Sequence, residues 1–271
     1  MKFVVDEAKM LLRDYLEKQN VSHRALKKIK MQGEILVNGK PRTVRYVVNQ
    51  GDVIELTWPQ EVSLMEPYDM DLTIYYEDDN YLVVDKPSGL PSIPTRRYPH
   101  CTLANAIVAY YQSQDIQATV HLVNRLDKDT QGLLLVAKNS YAHYLLSQDI
   151  KQVKRVYHCY VDGFMTGQGT IDQPIAKADD SLKRIISISG KRAVTHYRVL
   201  ASNECQSKIE CILETGRTHQ IRVHLASLGH PLSGDELYGS TSQPTYYLDS
   251  VELSFIDPFS KKLIALKKTS S

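Results

Sequence analysis

The 271-residue chain is poor in the features that mark secreted scaffolds, metal domains and membrane spans. Its four cysteines, Cys101, Cys159, Cys205 and Cys211, show no Cys-x-x-Cys spacing, which argues against a disulfide framework and against a thiolate zinc site. No apolar run approaches the ~20 residues of a membrane helix. The start, Met1-Lys2-Phe3-Val4-Val5-Asp6-Glu7, has neither the apolar stretch nor the small-residue cleavage site of a signal peptide. A reduced, cytoplasmic, monomeric protein with no membrane contact is the expectation. A Gly-x4-Gly-Lys-Ser/Thr phosphate loop is missing. His219 and His224 stand five apart, about 140° around a helix, so they do not share a ligand. Neither a cofactor nor a metal is expected.

What is present reads as an ordinary folded chain, 42% apolar and 24% charged, long enough for one large domain and one small one. The net charge of +2 is unevenly spread. Residues 1–60 hold 11 Lys/Arg against 7 Asp/Glu, and the remainder holds 22 against 24. The N-terminal segment is therefore the candidate polyanion-binding part, although a basic solvated surface would show the same balance.

Leu11, Leu12, Tyr15 and Leu16 suggest a short amphipathic helix within 6–19. Ser22 suits the N-cap of a second helix that Gly33 stops. On that helix Arg24, Lys27 and Lys28 fall at i, i+3 and i+4, away from apolar Leu26 and Ile29. Short strands follow, with turns at Asn38-Gly39 and Gly51-Asp52. This stretch, with its "GEILVNGKPRTVRYVVNQGDVIEL", resembles the small RNA-binding module named after ribosomal small-subunit protein four. The expected organisation is that module over 1–60, a linker over 61–71 within a proline-containing stretch that starts near Trp58-Pro59, and a larger domain over 72–271. In the larger part, strands outnumber helices and connections are short, so an α+β fold with a mainly antiparallel mixed sheet is expected. Helices are expected at 102–112 and from a Ser140 cap to about Ser147, with a further one that places Ile221, Leu225 and Leu228 inward.

Two segments carry chemistry. His121-Leu122-Val123-Asn124-Arg125-Leu126-Asp127-Lys128-Asp129-Thr130-Gln131-Gly132 puts two carboxylates, two cations and a glycine between apolar runs. A polar turn in which Asp127 or Asp129 bonds its own backbone would use the same residues. A metal shell is incomplete, because no histidine pair or acidic cluster accompanies the two aspartates. The second segment, Leu213 to Leu225, reads as a strand, a glycine turn and a helix with Arg222 on its first turns. Between them, Lys154 to Val161 alternates at the strand period and puts Tyr157 on the face of Cys159.

In order along the chain, "EDDNYLVVDKPSGLPSIP", "NRLDKDTQGLLLVAKN", "KRVYHCYVDG" and "LETGRTHQIRVHLASLGHPLSGDELYG" resemble the successive motifs of the large-subunit-rRNA type of pseudouridine synthase, the RluA/RluD family. The resemblance spans about residues 72–266. It implies isomerisation of a uridine in structured RNA, ribosomal or transfer, with no cofactor. By the same resemblance, Asp127 matches the catalytic carboxylate and Arg125 the arginine that fills the gap left by the flipped nucleotide. Tyr157 matches the tyrosine that lies against the target base, and Arg222 the arginine that pairs with the aspartate. Two positions depart from the pattern: Asn124 stands where many members have histidine, and Gln131 where serine is usual. A non-catalytic RNA-binding factor on the same scaffold is the rival reading, against which stand the intact Asp127, Tyr157 and Arg222.

Overall fold

The computed structural model describes residues 2–57, 63–148, 150–179 and 181–268. Its backbone falls into two compact units, one of residues 1–63 with 116–119, the other of 64–115 with 120–271.

The smaller unit holds β1 (Lys2–Val4), β2 (Met10–Leu11), α1 (Leu12–Lys18), α2 (His23–Gln32), β3 (Glu34–Val37), β4 (Lys40–Pro41), β5 (Val47–Val48) and β6 (Val53–Thr57). Four strands pair in the order β1-β6-β3-β4, and β2 pairs β5. Ser22 caps α2 as expected, its hydroxyl accepting the Ala25 N–H. The first helix is shorter than its apolar spacing suggests, because Met10 and Leu11 are extended and pair with Val48 and Val47. Leu12, Tyr15, Leu16, Leu26 and Ile29 are buried and form the inward faces of the two helices.

The larger unit is built on β7 (Thr73–Glu77), β8 (Tyr81–Lys86), α3 (Leu103–Ser113), β9 (His121–Leu122), β10 (Gln131–Ala137), α4 (Ser140–Gln148), β11 (Lys154–Asp162), β12 (Gln168–Asp172), β13 (Ile175–Lys177), β14 (Arg184–Ile186), β15 (Val194–Ser202), β16 (Gln206–Leu213), α5 (Gln220–Ser227), β17 (Leu248–Ile256) and β18 (Leu263–Lys267). One ten-stranded sheet runs β12-β15-β16-β11-β17-β10-β8-β7, with β18 on β17 and β9 on β10. Every pairing in it is antiparallel except β10 with β17, where Gln131 and Gly132 meet Asp249 and Ser250 in parallel. The mainly antiparallel mixed sheet expected from the sequence is therefore present.

That parallel pairing is tight. Gly132 has φ +108°, and a Cβ there would lie 2.4–2.5 Å from the Asp249 carboxylate and the Ser250 backbone, so no larger residue fits between the strands. The sheet core packs Tyr81, Val83, Leu133, Leu135, Leu253 and Phe255 together. The continuous apolar run Leu133–Val136 is buried on both faces, as a central strand should be.

Trp58 and Pro59 lie outside the described residues; within the stretch expected as a linker, the Glu66 carbonyl accepts from Asn105 on α3 at 2.7 Å. Two local expectations are corrected. The N-terminus of α4 is capped by Asn139, whose side-chain oxygen accepts the Ala142 N–H at 2.8 Å, with Ser140 already helical. Leu228 is 41% exposed, because α5 ends at Ser227 and the chain turns at Gly229. Among the described residues no helix is long and apolar enough to cross a membrane.

Candidate active site

The loop between β9 and β10 is a turn closed by Thr130 N–H donating to the Asp127 carbonyl at 3.2 Å. Residues from elsewhere in the chain hold it from beneath. Lys86, at the end of β8 and fully buried, donates its ammonium to the carbonyls of Pro87, Leu90 and Lys128 at 2.7–2.9 Å. Ser92 donates to the Leu126 carbonyl at 2.6 Å, and Ser88 to that of Asp129 at 2.9 Å. Asn124 accepts the Leu135 N–H at 2.8 Å and ties the loop to β10, while Gln131 donates to Asp249 on β17 at 3.1 Å. The two departures from the family pattern thus brace the loop through side chains of their own.

The segment after β16 delivers the arginine. Gln220 accepts from Thr215 and from the Arg217 N–H and donates to the Val194 carbonyl, which fixes the turn leading into α5. Arg222, in the first turn of α5, approaches Asp127 with Nη1 3.9 Å from Oδ2. Its main partner is another residue. Asp235, 2% exposed in the loop after α5, takes Nε at 2.6 Å and Nη2 at 2.7 Å in a two-point clamp. The guanidinium also lies 5.1 Å from the Tyr238 ring centroid and 4.6 Å from that of Tyr246. The pairing expected from sequence is present, but as the outer contact of a guanidinium already held by Asp235.

Electrostatics follow from this packing. Asp127 keeps about a quarter of its side chain open, 26%, yet burial pushes its pKa up from the ordinary value. Arg222, Lys86 and Arg125 pull it back down, and Asp235 adds to the rise. Burial works against the charge on Arg222, but the Asp235 bonds outweigh it and the guanidinium is held more firmly protonated than usual. The Lys86 ammonium is brought down to about 8 by burial, against the attraction of Asp129, Asp127 and Asp85. Burial raises the Tyr157 hydroxyl, and Asp127 raises it further against the pull of Arg155.

Tyr157 on β11 is buried, and Arg125 is exposed on the loop. Both line an open cleft of about 850 Å³ with Asp127, His219, Arg217, Arg97 and Lys128. A smaller recess of about 50 Å³ is shared by Asp127, Tyr157, His219 and Arg222. The four residues singled out from sequence, Asp127, Arg125, Tyr157 and Arg222, therefore converge. Arg24, Lys27 and Lys28 are exposed on α2 in the other unit.

Sequence reasoning missed Asp235, Tyr238, Tyr246, Lys86 and Arg155. Arg155, 2% exposed, bonds backbone carbonyls among the described residues, those of Val153 and Leu213 at 3.0 Å and Ile150 at 3.5 Å. It lies two residues before Tyr157, and that spacing was a usable signal. Asp235, between Gly234 and Glu236, carried none. Among the described residues no group of three or more His, Cys, Asp or Glu side chains could hold a metal ion.

The arrangement is a cleft lined with cations and with Asp127 and Asp129, beside an aromatic hydroxyl and a fixed guanidinium. That suits a polyanion whose reacting unit reaches Asp127. Comparison with known proteins agrees. The family model described as RNA pseudouridylate synthase matches residues 80–227. The chain is 43% identical over 264 residues to an uncharacterized RNA pseudouridine synthase of Bacillus subtilis, YjbO, covering 93% of each. It is 34% identical over 248 residues to the ribosomal large subunit pseudouridine synthase D of Escherichia coli O6:H1, covering 90% of this chain and 76% of that protein. Human RNA pseudouridylate synthase domain containing 4 superposes with a TM-score of 0.60 over 73% of this chain and 88% of that one, at 23% identity, a likeness of fold. With its motifs converging on one cleft and its relatives aligned over nearly the whole length, the chain belongs to the RNA pseudouridylate synthase family and is an RNA-modifying isomerase.

Proposed function

We propose that this chain converts specific uridines of large-subunit ribosomal RNA to pseudouridine by extruding the nucleotide and acting on it with Asp127. The observation that carries the reading is the Asp127 carboxylate facing the cleft 3.9 Å from a guanidinium that Asp235 immobilises. The name of the Escherichia coli relative supports the choice of RNA.

The reaction breaks the N1–C1′ bond, turns the freed uracil and rejoins it through C5, whose proton is then lost. A base within a helix is out of reach, so the nucleotide leaves the stack at a cost of a few kcal/mol. Arg125, exposed at the cleft, occupies the gap and offsets part of that cost by stacking and hydrogen bonding. Asp127 must be ionised, whether it meets positive charge at C1′ or takes a sugar proton. Burial favours the neutral form, and Arg222 beside it opposes that rise and favours the charge. Tyr157 gives the base a flat face and a hydroxyl near C5. No electron or phosphoryl group changes hands, so the chemistry calls for no cofactor.

Arg24, Lys27 and Lys28 on α2 form an RNA-contacting face of residues 1–60, on a cytoplasmic monomer. Each phosphate that a cation neutralises adds ~0.7 to the slope of log Kobs against log salt. Changing all three residues to glutamine should therefore lower that slope by about 2, with little effect on the single-turnover rate at saturation. Binding to a large-subunit rRNA transcript, measured across a salt series, checks this. An unchanged slope would remove the module from the RNA interface. Carbodiimide-dependent reverse-transcription stops in the same transcript, formed by the purified chain, test the reaction itself. Modification confined to transfer RNA would replace the ribosomal assignment.

A further inference from the structure

We propose that His219 is a further substrate-contacting residue, donating a hydrogen bond from Nε2–H to an oxygen of the extruded uridine. The inference rests on the cleft being the uridine site and adds an interaction that neither motif nor chemistry required.

Six described non-glycine residues adopt positive φ, and His219, at φ +56°, is the one among them that lines the cleft. A histidine in the left-handed region is unfavourable and persists where surrounding structure imposes it, commonly at a working site. Here the imposition is visible. The Tyr238 hydroxyl accepts the Arg184 N–H at 2.9 Å and stands 3.1 Å from His219 Nδ1. A phenol has one proton. With the Arg184 donor already on its oxygen, the arrangement we infer sends that proton to Nδ1, which then accepts, and puts the ring hydrogen on Nε2. Tyr238 also meets the imidazole edge to face at 5.9 Å and 84°, which sets the plane of the ring.

Nε2 has no partner among the described residues, and the ring borders both the cleft and the recess shared with Asp127, Tyr157 and Arg222. Burial, with Arg222 and Arg184 nearby and only Asp235 opposing, brings the imidazole down to about 4. The ring is therefore uncharged at neutral pH. Arg125, Arg217 and Lys128 around the cleft supply charge for phosphates. An uncharged N–H, fixed in tautomer and plane, is matched instead to a neutral oxygen, a uracil carbonyl or the ribose 2′-oxygen.

Two substitutions separate this role from a backbone cap. Asparagine tolerates positive φ and can keep the bond to Tyr238, but it does not extend to the Nε2 position. Glutamine reaches that position with an N–H. The full-length His219→Asn chain should melt within a few degrees of wild type yet isomerise about a hundred- to a thousandfold more slowly in single turnover, the range for loss of one preorganised donor. His219→Gln should recover most of that rate. RNAs carrying 2-thiouridine, 4-thiouridine or 2′-deoxyuridine at the target should each slow wild type, and His219→Asn should lose the penalty for the one whose oxygen Nε2–H meets. His219→Asn at the wild-type rate, with all three penalties intact, would overturn the proposal and leave His219 a helix cap. Wild type and Asp127→Asn run beside it: inactive wild type indicts the uridine-site reading, and active His219→Asn indicts His219 alone.

Discussion

Replacing Asp127 by asparagine should slow isomerisation by about a thousandfold or more, which is ~4 kcal/mol of lost transition-state stabilisation. RNA affinity stays within a few-fold, since the change removes charge and leaves shape. Single-turnover kinetics with excess enzyme, and a filter-binding titration, measure the two separately. The pH dependence has a definite sign. Burial raises the Asp127 carboxyl above its ordinary 3.8, so wild-type turnover falls as pH falls through a midpoint higher than that value. In the window between 3.8 and the folded value the native state holds a proton that the unfolded chain has released. Stability therefore declines as pH rises through that window, so ionising this carboxyl in the folded state costs stability. Asp127→Asn should accordingly melt no lower than wild type at pH 7. A variant that loses activity by unfolding would point to a structural residue instead.

Asp235→Ala has the second large effect, on stability and rate together. It strips the two-point clamp from Arg222, which is 7% exposed and would be left as a buried cation whose nearest carboxylate is 3.9 Å away. Breaking a buried pair in this way costs about 3–5 kcal/mol, readable as a shift in urea midpoint. The single-turnover rate should fall about a hundredfold, because Arg222 is then free to move away from Asp127, whose charge it favours. Unchanged stability would show that the clamp is dispensable.

The parts of this site that were legible in the sequence are those where local chemistry and local structure coincide. Asp127 and Arg125 sit in one polar loop between apolar runs, and Arg222 follows a strand, a glycine turn and a helix start. Ser22 and the Asn38-Gly39 turn were readable for the same reason, since a cap or a hairpin turn is decided within a few residues. Asp235 was not readable. It is thirteen residues beyond Arg222, and only the loop after α5 brings its carboxylate back. The work of Lys86 depends on a carbonyl 42 residues away, which nothing local in Lys86-Pro87-Ser88-Gly89 discloses. The position of β17 between β11 and β10 was hidden too, because sheet order is set by packing over the whole chain. The early start expected for α1 failed where the Met10–Leu11 ladder with β5 displaced helix propensity.

The most direct test of Asp127 acting on uridine in RNA is a map of pseudouridine, by carbodiimide-dependent reverse-transcription stops, in RNA from cells lacking this gene and complemented with wild type or Asp127→Asn. One or a few stops should vanish with the gene, return with wild type and stay absent with the asparagine variant. Stops that persist without the gene, or return equally with both chains, would contradict it.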